Sequence, residues 1–252
     1  MEYEINEQKS IMDYKRSMDH GLMMRYIEIF VKRYPFLELT SIGKSSAGKS
    51  IPMIVLGKGE ESCLYVGAAR PSECITSIIL LRFINEYCEL YKAKSRIYNN
   101  TLDYLYSSKT IRVVPMLDVD GVDCRSWGLS IKKGDELTET EQGAGVLSNF
   151  LRFGGDIRAL LSLGLGNEEI FCPAGENVPP RALPIARSLE RMSGYTLVRE
   201  GENGSVTQTA NELGISSFDV RCTEGKRGFN ADTIFKIYAD MREVLFRLPC
   251  MI

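Results

Sequence analysis

Apolar and polar positions along the chain change period several times. Up to about residue 33, Leu22, Tyr26, Ile29, Phe30 and Val31 recur at helical spacing, and Tyr34-Pro35 closes the segment. Residues 37–42 and 51–56 read as strands on either side of a Gly/Ser/Lys turn, and 63–68 as a third strand, short and apolar. A long helix is predicted over 72–91, where Ile75, Ile78, Ile79, Leu81, Phe83 and Tyr87 make the beginning apolar almost all round. Residues 111–117 read as a buried strand that runs into the acidic turn Asp118-Val119-Asp120-Gly121. The stretch 127–145 is polar, has no clear period, and reads as a surface loop. Beyond it come a strand over 159–165, a helix over 180–193 opened by prolines, a strand over 217–222 and a closing helix over 231–246. Strands alternating with long helices predict an α/β fold with a largely parallel sheet. With no internal repeat and no linker rich in Pro, Gly or Ser, residues 1–252 are expected to form a single domain.

Composition narrows the functional classes. A chain of 252 residues can bury a large core, and its formal net charge of -2 gives no reason to expect nucleic acid or an anionic membrane as partner. No apolar run is long enough to span a bilayer, and Met1-Glu2-Tyr3-Glu4 lacks the basic-then-apolar pattern of a secretion signal. The seven cysteines stand singly between Cys63 and Cys250 with no CxxC pair, which suits reduced thiols and a cytoplasmic location. There is one histidine, His20, so zinc binding and general base catalysis are both restricted from the outset. It lies far in sequence from every motif below and reads as a surface residue.

Gly43-Lys44-Ser45-Ser46-Ala47-Gly48-Lys49-Ser50 fits the phosphate-binding pattern G-x-x-x-x-G-K-[ST]. That pattern binds phosphate only where Lys-Ser opens a helix whose first amides point at the anion. Here Ser50 leads into Ile51-Pro52-Met53-Ile54-Val55-Leu56, which reads as a strand. A strand–turn–strand with a lysine-rich tip is expected, and an NTPase is not.

The same segment, from Ile42-Gly43 to Ile51-Pro52, resembles the early strand–turn–strand of zinc carboxypeptidases, and the likeness continues in order. Residues 64–69 followed by Arg70-Pro71-Ser72-Glu73 look like the strand leading into that family's H-x-x-E zinc motif. Val113-Val114-Pro115-Met116-Leu117-Asp118-Val119-Asp120-Gly121 is similar to the strand ending in N-P-D-G. Residues 161–171, with Glu168-Glu169-Ile170-Phe171, resemble the strand carrying the third zinc ligand, and 214–225 the strand whose T-I-E holds the catalytic glutamate. Its flavour is that of the bacterial branch acting on γ-D-glutamyl–diaminopimelate bonds of cell-wall peptides. The resemblance implies one phosphorylase/hydrolase-like α/β domain, with a mixed, mostly parallel twisted sheet and helices on both faces.

Carried over residue by residue, the resemblance puts the family's first zinc-binding histidine at Arg70, its glutamate ligand at Glu73, its second histidine at Gly164 and its catalytic glutamate at Arg221. A catalytic zinc needs three protein ligands and an open position, and only Glu73 keeps its type. A guanidinium neither deprotonates nor tolerates a dication beside it. Neither zinc nor any other cofactor is therefore expected, and no residue is assigned a catalytic role. Cys74 and Cys222 adjoin site residues and read as buried structural thiols. The family's carboxylate-gripping residues belong in 121–150, where Arg125 and Asn149 are the candidates, and its aromatic acid/base assistant falls at Ser205. Arg70, Glu73, Arg221, Arg125, Asn149 and Ser205 are thus candidate ligand-binding residues.

The reading is a non-catalytic protein with the carboxypeptidase fold, either binding a peptide or carboxylate in the old crevice or serving as a scaffold. An active cell-wall peptidase with a non-standard metal site is the alternative. Glu73 is expected to be neutralised by Arg70, by Arg221 or by both. Counting these three charges leaves one positive in excess and predicts a crevice that favours anions, with Gly164 leaving room where an imidazole would stand. The other outcome is closure of the charges on themselves as salt bridges, with Glu224 joining. Ligand identity and oligomeric state stay open.

Overall fold

The structure is a computed structural model and describes residues 12, 16–98, 100–126, 141–175, 177–199, 206–223 and 231–252. Helix α1 (His20–Arg33) starts at Asp19, whose carboxylate accepts from the Leu22 amide at 2.7 Å, and it buries Met23, Tyr26, Ile27 and Phe30. Strands β1 (Glu38–Lys44) and β2 (Ser50–Gly57) pair antiparallel, and β3 (Ser62–Gly67) is buried throughout. Helix α2 (Cys74–Lys92) buries 13 of its 19 residues, which explains a sequence apolar on nearly every side. The two-residue strands β4 (Arg96–Ile97) and β5 (Asn100–Thr101) precede α3 (Leu102–Ser108), which is capped by Thr101. Then come β6 (Thr110–Val114), α4 (Val119–Ser126), α5 (Glu141–Phe153), β7 (Ile157–Gly166), β8 (Glu169–Phe171), α6 (Ala182–Ser193), β9 (Thr196–Val198), α7 (Val206–Glu212), β10 (Ser216–Thr223) and α8 (Ala231–Arg247).

The large sheet has the order β1-β2-β6-β3-β7-β10-β8-β9. At its centre β6, β3, β7 and β10 are parallel, while β1, β2 and β8 meet their neighbours antiparallel and β9 joins β8 in parallel. Side chains alternate along each strand, so Phe218, Val220 and Cys222 face one side of β10 and Ser217, Asp219 and Arg221 the other. On the first side lie α2 and α8, where Phe83 meets Tyr65 and Phe246 at centroid distances of 5.7 and 5.0 Å and Tyr65 donates to Leu245 O at 2.8 Å. On the second lies α7, whose Thr207 carbonyl accepts from Ser217 Oγ at 2.7 Å, with α5 packed beside it. No helix among the described residues is long and apolar enough to cross a membrane.

Besides the short elements β4, β5, α3, β8, β9 and α7, which the periodicity did not predict, two places differ from the sequence expectation. The acidic turn after β6 is the start of α4: Asp118 Oδ1 accepts from Gly121 N at 3.0 Å and its carbonyl from Val122 N at 3.1 Å, while Val119 and Val122 go into the core. Residues 141–145 open α5 and are not loop. Gly143 and Gly145 hide that start because glycine lowers helix propensity, but Leu147 and Leu151 are buried and tie the helix down. The expected loop residues before 141 lie outside the described residues.

Candidate functional site: an ion-pair cluster at the carboxyl ends of the central strands

β3, β7 and β10 are consecutive parallel neighbours, so the chain leaves all three at the same edge of the sheet, where open α/β folds place their ligand crevice. After β3 the backbone turns at Ala68, which has a left-handed φ of 42° and donates its amide to Thr76 Oγ1 at 2.7 Å. The Arg70 carbonyl accepts from Glu73 N at 3.0 Å, which leaves the Glu73 side chain folded back over the turn at the head of α2. Glu73 Oε2 accepts from Arg70 N at 3.2 Å, and Oε1 accepts from Arg70 Nη1 at 3.0 Å and Leu165 N at 3.3 Å. Arg221 Nη1 stands 3.6 Å from the same Oε1.

Glu73 is 2% exposed and Arg70 8%. Burial pushes the Glu73 carboxyl up to about 6, against the opposing pull of the Arg70 guanidinium and the two backbone amides. Desolvation therefore wins over pairing here. Of the expected partners, Arg70 hydrogen-bonds Glu73 and Arg221 stands within ion-pair distance of it.

The sequence reading missed Asp219. It precedes Arg221 by two on β10 and so shares its face; its Oδ2 accepts from Arg221 Nε at 2.8 Å and lies 2.5 Å from Nη2. The signal was available in the strand period, but the likeness to T-I-E drew attention to Arg221 alone. With Asp219 present, the described residues of the crevice hold two carboxylates against two guanidiniums, and the positive excess counted from three charges disappears. Gly164 leaves no vacant space either. A Cβ there would stand 2.8 Å from Glu73 Oε1 and 3.3 Å from Arg221 Nη1, so the room expected where an imidazole would stand is already filled.

Arg125, in the last turn of α4, and Asn149, in α5, are both exposed, and among the described residues no hydrogen bond or ion pair joins them to the cluster. Ser205 and Glu224 lie outside the described residues. His20 sits at the start of α1, where its backbone amide donates to Asp123 Oδ1 at 2.8 Å and its ring Nε2 is 3.0 Å from the Ser50 carbonyl. Cys222 is fully buried on the opposite face from Arg221, its thiol pushed up to about 12 by burial, and Cys74 Sγ lies 3.6 Å from Ser17 Oγ. A cavity of about 350 Å³ opens at the other edge of the sheet, between Glu61, Arg158, Arg181 and Ile252, and no candidate residue lines it.

The phosphate-pattern segment is a turn between β1 and β2, as the strand character of 51–56 implied. Ser45 and Lys49 close it, with Gly48 at φ 78°, and Lys49 Nζ reaches Asp123 at 2.6 Å and Asp120 at 3.3 Å. Burial disfavours the Lys49 charge, but the two carboxylates outweigh it and its pKa is raised.

A zinc ion of the kind the resemblance implies does not fit these residues. Among the described residues no three His, Cys, Asp or Glu groups are placed to hold a metal, and the carboxylates at the crevice already accept from guanidinium groups.

The sheet order, with its crevice at the ends of β3, β7 and β10, is the fold of the metallocarboxypeptidases. Residues 23–140 match the family described as zinc carboxypeptidase, and the chain is a relative of that family with its fold. Over 109 residues it is 32% identical to gamma-D-glutamyl-L-diamino acid endopeptidase 1 of Lysinibacillus sphaericus, covering 43% of this chain and 28% of that protein. The uncharacterized protein YqgT of Bacillus subtilis (strain 168) is 26% identical over 117 residues, 45% of this chain and 31% of that one. The matched region thus spans less than a third of either relative's length. Bovine thrombin-activatable fibrinolysis inhibitor has the same fold at a TM-score of 0.73 and 15% identity, over 94% of this chain and 97% of that one. A metallo-carboxypeptidase from Burkholderia cenocepacia superposes at 0.66 and 12% identity, over 95% and 71%.

Proposed function

We propose that the chain is a zinc-carboxypeptidase-like protein that does not hydrolyse peptides through a metal-activated water and acts by binding, as a scaffold or as a peptide-recognising relative of the cell-wall endopeptidases. One observation carries this reading: a buried ion pair of Glu73 with Arg70, extended by Arg221, fills the crevice where the family resemblance puts metal and base. A peptide or carboxylate partner, a cytoplasmic location and a single domain over 1–252 belong to the same proposal. The relative named for γ-D-glutamyl-L-diamino acid bonds supports a peptide ligand, the free state of all seven cysteines supports a reducing compartment, and the shared sheet supports one domain.

Metal content after purification without chelator, a zinc titration, and turnover of a γ-D-glutamyl–diaminopimelate peptide with zinc added test the reading together. No stoichiometric zinc and no metal-dependent cleavage are expected. One equivalent of zinc with Glu73 in its first shell, or zinc-dependent cleavage lost in Glu73→Gln, would establish an active peptidase with an unusual metal site instead.

A further inference from the structure

Arg221 has a seat built for it. β10 and β7 run parallel with Arg221 opposite Gly164 and Thr223 opposite Gly166. A Cβ at Gly164 would stand 2.8 Å from Glu73 Oε1 and 3.3 Å from both Cδ and Nη1 of Arg221, and a Cβ at Gly166 would stand 2.9 Å from Arg221 Cβ. Glycine at both positions lets the arginine stem lie against β7, because backbone can approach closely only where a side chain is missing. The guanidinium so placed ends against Asp219 Oδ2, at 2.8 Å from Nε and 2.5 Å from Nη2, and near Glu73 Oε1, at 3.6 Å from Nη1. Its side chain is only 13% exposed, so stem and head are both enclosed.

We infer that the crevice is a receptor for a guanidinium group, occupied by the chain's own Arg221, and that Gly164 and Arg221 form one interlocked unit. This rests on the reading of the crevice as closed and non-catalytic, and it reverses the anion preference that three charges alone would give. Glu73 at the head of α2 and Asp219 on β10 present acceptors to a planar fork of donors, which is the geometry that selects arginine over a point charge such as lysine. A larger residue at Gly164 meets Glu73 Oε1 at 2.8 Å and Arg221 Cδ and Nη1 at 3.3 Å, so it enters only if the seated ion pair shifts. A side chain at Gly164 therefore carries a steric penalty for as long as Arg221 is seated.

Arg221→Ala and Gly164→Ala, singly and together, form a thermal-denaturation cycle, and ethylguanidinium serves as the probe for the emptied seat. Arg221→Ala is expected to lower Tm by about 10 °C, as loss of one partner from a buried ion pair does. Gly164→Ala should cost roughly half as much Tm, or less, in the Arg221→Ala background as in the parent. Ethylguanidinium should raise Tm of Arg221→Ala saturably, by about 3–6 °C at ten times its Kd. It should leave the parent unchanged and lose its effect when Asp219→Asn is added. Equal concentrations of ethylammonium chloride and sodium acetate are the controls. Equal stabilisation by ethylammonium, stabilisation by acetate in its place, or an unchanged cost of Gly164→Ala in the two backgrounds overturns the inference. If Arg221→Ala does not fold unaided, refolding yield is read instead: recovery with ethylguanidinium above the ethylammonium control supports the seat, and none refutes it. Neither result touches the zinc and peptidase tests, so a failure here is separable from a failure of the non-catalytic reading.

Discussion

Replacing Arg70 by alanine removes the nearer of the two guanidiniums on Glu73, and its cost should depend on pH in a direction the structure fixes. At neutral pH the change strips the 3.0 Å partner from a carboxylate that is 2% exposed. Breaking a buried pair in this way costs about 3–5 kcal/mol. The carboxyl itself titrates near 6 in the folded state against a usual 4.5. A raised folded pKa means the native state holds its proton more tightly than the unfolded chain. Its contribution to stability is therefore present in full below about 4.5 and lost as pH rises through 6, a span of about 2 kcal/mol at 1.36 kcal/mol per pKa unit. Removing Arg70 takes away a group that lowers this pKa, so the folded value climbs further and the loss extends to higher pH. The destabilisation should accordingly be larger at pH 8 than at pH 5, by about 1.4 kcal/mol for every further pH unit through which the folded pKa climbs. Urea unfolding followed by circular dichroism at both pH values, on the parent, Arg70→Ala and Glu73→Gln, measures it. Glu73→Gln should remove most of the pH dependence. Equal costs for Arg70→Ala at pH 5 and pH 8, or a cost at pH 8 well under about 1 kcal/mol, would mean that the pair is solvated and the reasoning is wrong.

Lys49→Ala removes a lysine that links the β1–β2 turn to Asp120 and Asp123 in α4; at 26% side-chain exposure the loss should be about 1 kcal/mol by urea unfolding. ATP should bind neither form, and saturable binding to the parent that is lost in Lys49→Ala would restore the nucleotide reading. A thiol reagent on the native protein should react first at the exposed Cys250, more slowly at the half-buried Cys74 and Cys124, and last at the buried Cys63, Cys88, Cys172 and Cys222. Burial holds the Cys63 and Cys222 thiols up at about 12, so raising the pH to 9 should leave those two slow. Fast labelling of Cys222 in folded protein would show that the sheet opens at β10.

What could be decided from the residues alone was whatever depends on short-range periodicity. The β-branched run after Ser50 was enough to make 51–56 a strand and so to refuse the phosphate-binding pattern, because that pattern requires a helix at the same place. The order of strands and helices was legible for the same reason, whereas the departures at Arg70, Gly164 and Arg221 were read from the family resemblance. α4 and the start of α5 were not, since Asp118's capping bond and the burial of Leu147 exist only once the sheet is assembled.

Charge balance was decided only in three dimensions. Asp219 could have been drawn in by the period of two along β10, but its consequence depends on Glu73 arriving at the same edge from the end of β3. The pairing of β7 with β10 sets Gly164 opposite Arg221 across 57 residues of chain, and no local pattern specifies that register. Burial of apolar faces on both sides of the sheet fixes it, and with it an arginine is laid over a glycine. The resemblance read from the sequence put Arg70 and Gly164 where the family has histidines; packing decided that Arg221 would lie over Gly164.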